Sequence, residues 1–236
     1  MKHIVIVEEN DARARPAPFF MYYGLSKFCC AIFLTCVYLF LKTYYLKHTI
    51  WYVMNNNFEI TTLASGCFWC SEAIFRRLRG VKSVLPGYAG GTTKDPSYDQ
   101  VCTGTTGHAE SIRVEFDPNV ISFKEILEIF WHTHDPTTLN RQGNDVGTQY
   151  RSAIFYHDET QKEVAEKLKK ELEVERVYKD HIVTEISPFK SFYVAEDYHK
   201  NYYEEHQRVP YCSYVIDPKI HKLLQQYRNN LKEKYI

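Results

Sequence analysis

At 236 residues the chain fits one large domain or one domain with an appendage, since about 150 residues make a typical domain. Its 29 Lys and Arg balance 29 Asp and Glu, so no net field draws it to nucleic acid or to anionic lipid. Seven cysteines, at 29, 30, 36, 67, 70, 102 and 212, are an odd number in a chain much longer than a disulfide-stapled mini-protein, which points to a reducing, cytoplasmic compartment and leaves thiols free for chemistry.

Residues 1–54 read as an N-terminal extension. Phe19 to Leu41 is apolar apart from Lys27, but its uncharged part, Phe28 to Leu41, is shorter than the ~20 residues of a spanning helix. It is also a poor secretory signal, lying far from the N-terminus with no small-residue cleavage pattern behind it. Two readings stand: a membrane anchor through residues 19–41, or an upstream read-through with Met54 as the true start.

Residues 55–236 have the composition of a globular domain. Phe58 to Ala64 is β-rich and runs into Gly66; Phe68, Ile74, Phe75 and Leu78 recur at helical spacing until Gly80, predicting strand, turn and helix. Ser111 to Phe116 alternates as a strand and turns at Asp117-Pro118-Asn119. Ser122 and Glu125 form a capping box before Phe123, Ile126, Leu127 and Phe130. Arg151 to His157 reads as a strand, and Asp158 and Gln161 cap a charged helix with Val164, Leu168 and Leu172. His181 to Ser187 is a strand stopped by Pro188, Asp197 to Gln207 a short helix. A last helix begins at Asp217-Pro218 with Ile220, Leu223, Leu224, Tyr227 and Leu231 on one stripe. This mixed order predicts an α+β fold, a sheet covered by helices.

The stretch ASGCFWCSEAIF carries the chemistry. Cys67 stands at a helix start, where unpaired N–H groups favour a thiolate. Cys70 follows one turn later, within disulfide reach if the turn relaxes, and Phe68 and Trp69 between them form an apolar cage for a small group. A structural zinc site needs four ligands, and a second CxxC or an HxxxH is missing. His132 and His134, two apart near a helix end, diverge and read as helix-terminal or core side chains. Gly90, Gly91, Gly104 and Gly107 form neither GxGxxG nor a P-loop and read as turn residues. Two alternatives remain for the residues alone: a thiol-disulfide oxidoreductase of CxxC type, and a membrane-tethered zinc or interaction module.

Four segments in order, GCFWCSEAIF, GYAGGTTKDPSYDQVCTGTTGHAESIRVEFDP, FWHTHDPT and RQGNDVGTQYRSAIFY, resemble the A-type peptide methionine sulfoxide reductases, over roughly Glu59 to Pro218. The resemblance implies a two-layer α+β sandwich with a mixed sheet and a ferredoxin-like core, and makes residues 55–236 the catalytic domain. It implies that Cys67 attacks the sulfur of a methionine S-sulfoxide, free or in proteins, while Phe68 and Trp69 enclose the methyl group. Glu110 matches the proton donor; burial beside aromatic rings raises a carboxyl pKa as that role requires. Tyr98 and Tyr150 match donors to the substrate oxygen, and Asp145 a carboxylate that orients the site. Cys67 then becomes a sulfenic acid that a second thiol clears. Many members carry Gly at the position of Cys70 and recycling cysteines in a glycine-rich tail, whereas this chain has Cys70 and a lone Cys212. Cys70 is favoured by local geometry as the resolving thiol, with Cys212 the alternative or a second relay. No prosthetic cofactor or metal is implied, only an external dithiol such as thioredoxin, and a monomer is expected.

Overall fold

In the computed structural model the described residues are Lys42 and 58–236; the apolar run at 19–41 and the question of Met54 lie outside them. Residues 56–236 cluster as one unit. Strand β1 (Glu59–Ser65), helix α1 (Phe68–Phe75), β2 (Val81–Ala89) and β3 (Ala109–Phe116) come first, with the short helix α2 (Tyr98–Cys102) between the last two. Helix α3 (Phe123–Thr133) leads to a two-residue hairpin of β4 (Arg141–Gln142) and β5 (Asp145–Val146), a 3-10 turn Thr148–Tyr150 and strand β6 (Ser152–Tyr156). Helix α4 (Glu159–Val174), β7 (Glu185–Pro188), β8 (Phe192–Val194), α5 (Tyr202–Glu205) and α6 (Asp217–Tyr227) complete the order.

The main sheet runs β7-β6-β1-β3-β2-β8. Only the β6–β7 pair is parallel; the other four are antiparallel. The sheet is therefore mixed. Its central order β6-β1-β3-β2, with α1 and α3 as the crossovers, is the split β-α-β arrangement of a ferredoxin-like core. Leu63, Ile112, Val114 and Ile154 pack with Phe75, Ile126, Phe130, Trp131 and Leu168 of the helices. The opposite sheet face is lined by Ala64, Ala89, Ala109 and Ala153 and closed by Phe155, Phe189 and Phe192 rather than by helices. Two layers result, as expected.

Local signals held where they were self-contained. The Ser122–Glu125 capping box forms in both directions, and Asp158 accepts the Gln161 N–H to start α4. They failed where distant segments intervene. The α1 helix stops at Phe75 because Leu78 makes an isolated bridge with Leu231 and the Arg79 N–H goes to the Asn230 carbonyl at 2.7 Å. The strand expected from His181 begins only at Glu185, since the Val183 N–H donates to the Pro136 carbonyl at 2.8 Å, and it ends at Pro188, which pairs with Tyr156 as its last residue. Asn201, in a left-handed conformation with φ 57°, divides the segment expected as one helix into a 3-10 turn, Asp197–His199, and α5. The last helix starts early as a wide π turn, Cys212–Ile216, running into α6. Pro218 has no N–H to offer the carbonyl one turn back, which fits a widened turn just before it. Leu231 lies past the end of α6 but is buried all the same. Among the described residues no helix is long and apolar enough to cross a membrane.

Candidate active site

The site forms where β1 hands the chain to α1. Gly66, at φ +87°, makes that turn, and a Cβ there would lie 2.6 Å from the Gln142 side chain; glycine is needed both for the conformation and for the close approach of the β4–β5 hairpin. Cys67 follows as the N-cap of α1, with its carbonyl accepting from the Cys70 N–H at 3.1 Å. A hydrogen bond between Ser65 Oγ and Ser71 Oγ, 2.7 Å, pins the turn.

Glu110, in β3, lies across from the helix start and is 1% exposed. Its Oε2 accepts the first free amide of α1, Phe68 N–H, at 3.0 Å. That bond favours the carboxylate, yet burial outweighs it and pushes the Glu110 pKa up to about 8. A protonated carboxyl therefore sits beside the sulfur near neutral pH. Tyr98 and Tyr150 are half-buried, and burial together with the field of Glu110 raises both phenol pKa values, so each keeps its O–H as a donor. Tyr98 is anchored through its backbone N–H to Glu196 Oε1 at 2.9 Å, and the other oxygen of Glu196 accepts the Tyr88 phenol at 2.8 Å. Asp145, on β5, accepts the Tyr211 phenol at 2.8 Å.

The two thiols differ from the simple helix-end expectation. Burial pushes the Cys67 thiol well above the usual thiol range, and the neighbouring sulfur of Cys70 pushes in the same direction. The neighbouring Cys67 sulfur brings Cys70 down to about 7 against its own burial, with the Lys219 ammonium helping. The first amide of the helix is given to Glu110, and the Cys67 sulfur lies inside an apolar cluster with Ala73, Cys212, Ile216 and Ile220.

Trp69 is the half-exposed ring of the expected cage. Its indole stacks on Tyr202 at 3.6 Å between centroids and 5° between planes, meets Tyr211 edge-on, and donates Nε1–H to His199 Nδ1 at 3.1 Å. Phe68 is fully buried against Tyr88, Tyr98 and His199 and backs the cage. Cys212 is wholly buried in the same cluster as Cys67 and Cys70, and these three and Cys102 are unpaired. Cys102 is exposed. Tyr202, Tyr211, His199 and Lys219 escape a sequence reading: they come from the C-terminal segment, and only the adjacency of Tyr211 to Cys212 could have flagged one of them.

Other candidates resolve differently. His134 is buried, donates Nδ1–H to the Phe130 carbonyl at 2.6 Å and accepts from Ser152 Oγ at 2.7 Å, so it is a core histidine. His132 caps the same helix end and meets the Tyr227 phenol. Gly90, Gly104 and Gly107 have positive φ and make turns, while Gly91 lies against His108. Among the described residues no three His, Cys, Asp or Glu side chains come together as a metal-holding group. A cleft of about 310 Å³ between Arg76, Lys82, Lys232 and Lys234 is lined by no cysteine, whereas an acid, phenols and thiols converge on Cys67.

A family model described as peptide methionine sulfoxide reductase matches residues 59–232. The peptide methionine sulfoxide reductase MsrA of Saccharolobus solfataricus is 54% identical over 174 residues, covering 74% of this chain and 97% of that protein. The crystal structure of Mxr1 from Saccharomyces cerevisiae in reduced form superposes with a TM-score of 0.60 at 37% identity, covering 66% of this chain and 89% of that one. Methionine sulfoxide reductase A of Corynebacterium diphtheriae gives 0.60 at 34% identity, covering 67% and 79%.

Proposed function

Since this chain belongs to the peptide methionine sulfoxide reductase family and reduces methionine sulfoxide with thiols, we propose that Cys67 is its nucleophile and Glu110 its proton donor. The observation that carries this is the buried Glu110, its carboxyl pushed up to about 8 by that burial, fastened by one oxygen to the Phe68 amide, one residue from Cys67. A sulfoxide oxygen leaves only once protonated, and a carboxyl still holding its proton near neutral pH supplies it.

The methyl group of the substrate lies on Trp69, with Phe68 behind it, a contact worth about 1 kcal/mol from burial and dispersion. Tyr98 and Tyr150 donate to the sulfoxide oxygen, and Asp145 orients the site through Tyr211. The Cys67 sulfur forms a bond to the sulfoxide sulfur as its thiol proton passes to the neighbouring Cys70 sulfur. The oxygen, protonated by Glu110, ends on Cys67 as a sulfenic acid, and methionine departs with its sulfur reduced. Cys70 then attacks the Cys67 sulfur, its proton leaving with the hydroxyl as water, to form a Cys67–Cys70 disulfide, with Cys212 in the same apolar cluster for a second exchange. An external dithiol restores the thiols, and the family resemblance implies thioredoxin and the S epimer, free or in oxidised proteins and peptides. Residues 55–236 are the catalytic domain, and the four unpaired cysteines fit a reducing, cytoplasmic compartment.

The test is a Cys70→Ser/Cys212→Ser double variant given one equivalent of a blocked methionine sulfoxide. Peptide mapping should find one added oxygen, on Cys67, matched by one methionine released. Oxygen on Cys102, or none, overturns the assignment.

A further inference from the structure

Helix α5 has little of its own to hold it. It is four residues long with none of them buried, and its N-cap Asn201 sits at φ 57° without a side-chain cap; a helix that short does not persist without outside contacts. Yet it carries Tyr202, whose ring lies flat on Trp69 at 3.6 Å between centroids. Two side chains from the second half of α1 and the turn after it reach this helix. Glu72 Oε1 accepts the Asn201 N–H at 3.0 Å, and Arg77 Nη2 meets Glu204 Oε1 at 2.9 Å. A third tie, the Tyr203 phenol donating to Asp217 Oδ1 at 2.6 Å, binds α5 to α6 rather than to α1.

Of these ties, the one from Glu72 bears most directly on the cage. Glu72 stands three residues after Trp69, on the same face of α1, so indole and carboxyl meet two consecutive residues, Tyr202 and Asn201. It is 2% exposed, a place that suits a carboxyl only when its oxygens are occupied. Its partners are the Asn201 N–H and, at 3.4 Å, Arg76 Nη1; none of its hydrogen bonds goes to Cys67, Glu110, Tyr98 or Tyr150. The Arg77–Glu204 pair is one-third exposed on the Glu204 side and holds less firmly. We propose that Glu72 is a positioning residue: by anchoring Asn201 it seats α5 so that Tyr202 backs the Trp69 indole. The consequence for turnover rests on the reading that the substrate methyl lies on Trp69. With Asn201 released, Tyr202 lifts, the indole turns, and the loss falls on substrate binding rather than on the chemistry at sulfur.

The experiment labels the full chain with fluorotryptophan and assigns the Trp69 fluorine resonance as the one lost in Trp69→Phe; Trp131, fully buried in the core and assigned likewise, is the internal control. Glu72→Met and Glu72→Ala remove the acceptor, while Glu72→Gln keeps an oxygen in its place. In whichever apolar variant leaves the Trp131 resonance unmoved, the Trp69 resonance should move toward its position in Tyr202→Ala. In that variant KM for a blocked methionine sulfoxide should rise by about threefold to tenfold, with kcat within about twofold, and the rise should vanish when Trp69 is already Ala. Glu72→Gln should restore the resonance and most of the KM. A Trp69 resonance that stays at its wild-type position in the apolar variant overturns the proposal, and so does a Glu72→Gln resonance displaced as far as the apolar one. A moved resonance with an unchanged KM supports the seating of α5 by Glu72 and overturns instead the placing of the substrate methyl on Trp69.

Discussion

Glu110 Oε2 accepts the Phe68 N–H at 3.0 Å, so the acid on β3 and the nucleophile's own helix are fixed to each other by one hydrogen bond. The remaining oxygen is free to carry the proton. With Glu110 up at about 8 and Cys70 down at about 7, kcat/KM should rise through about 7 as the thiol pair ionises and fall above about 8 as Glu110 loses its proton. Glu110→Gln should lower kcat/KM by roughly 10²-fold or more and abolish the alkaline limb. A variant that keeps both the rate and the alkaline fall refutes the role of Glu110.

His134 gives a stability prediction of known sign. Burial lowers its pKa from the ordinary 6.5 to about 4, so the unfolded chain binds the proton that the folded one refuses. The stability is fully present above about 6.5 and drains away as pH falls toward 4, at most about 3 kcal/mol from this residue. Urea unfolding at pH 7.5 and pH 5 should show a smaller loss on acidification for His134→Gln than for the wild type. Equal losses would contradict the buried neutral imidazole.

Trp69 is held flat by Tyr202 and by the His199 acceptor, an arrangement that presents one indole face and edge to a small apolar group. Trp69→Ala should cut kcat/KM about tenfold or more, chiefly by raising KM, since the lost contact is made before chemistry begins. A fall in kcat alone would show that the indole does not bind the substrate methyl.

Tyr211 donates its phenol proton to Asp145 at 2.8 Å and packs against the cluster that holds Cys67. Tyr211→Phe should cost about 1 kcal/mol in the transition state, roughly fivefold in kcat, and Asp145→Asn should cost little more once Tyr211 is already Phe. Additive losses in that double variant would mean the two side chains act apart.

How far a sequence reading reaches is visible in these residues. Cys67 and Cys70 stand out from the local CFWC motif at a helix start, whereas Glu110, Asp145, Tyr98 and Tyr150 enter only through the family resemblance, since each is an ordinary residue in its own segment. Three of the four central strands, β1, β3 and β6, follow from local patterning, but β2 contains Pro86 and Gly87 and β8 is only three residues long, so neither announces itself. The burial that raises the Cys67 thiol pKa is not legible locally, because it is imposed by the Cys212–Ile216 turn and α6, far along the chain, whereas the helix-end rule is local.

The most direct test of the central claim is turnover of each epimer of a blocked methionine sulfoxide by the wild-type chain and by Cys67→Ser, with dithiol reductant in excess. One epimer should be reduced by the wild type and neither by the variant, because a serine hydroxyl in place of the thiol cannot accept the oxygen. Undiminished turnover of that epimer by Cys67→Ser would contradict the assignment of the nucleophile and everything built on it.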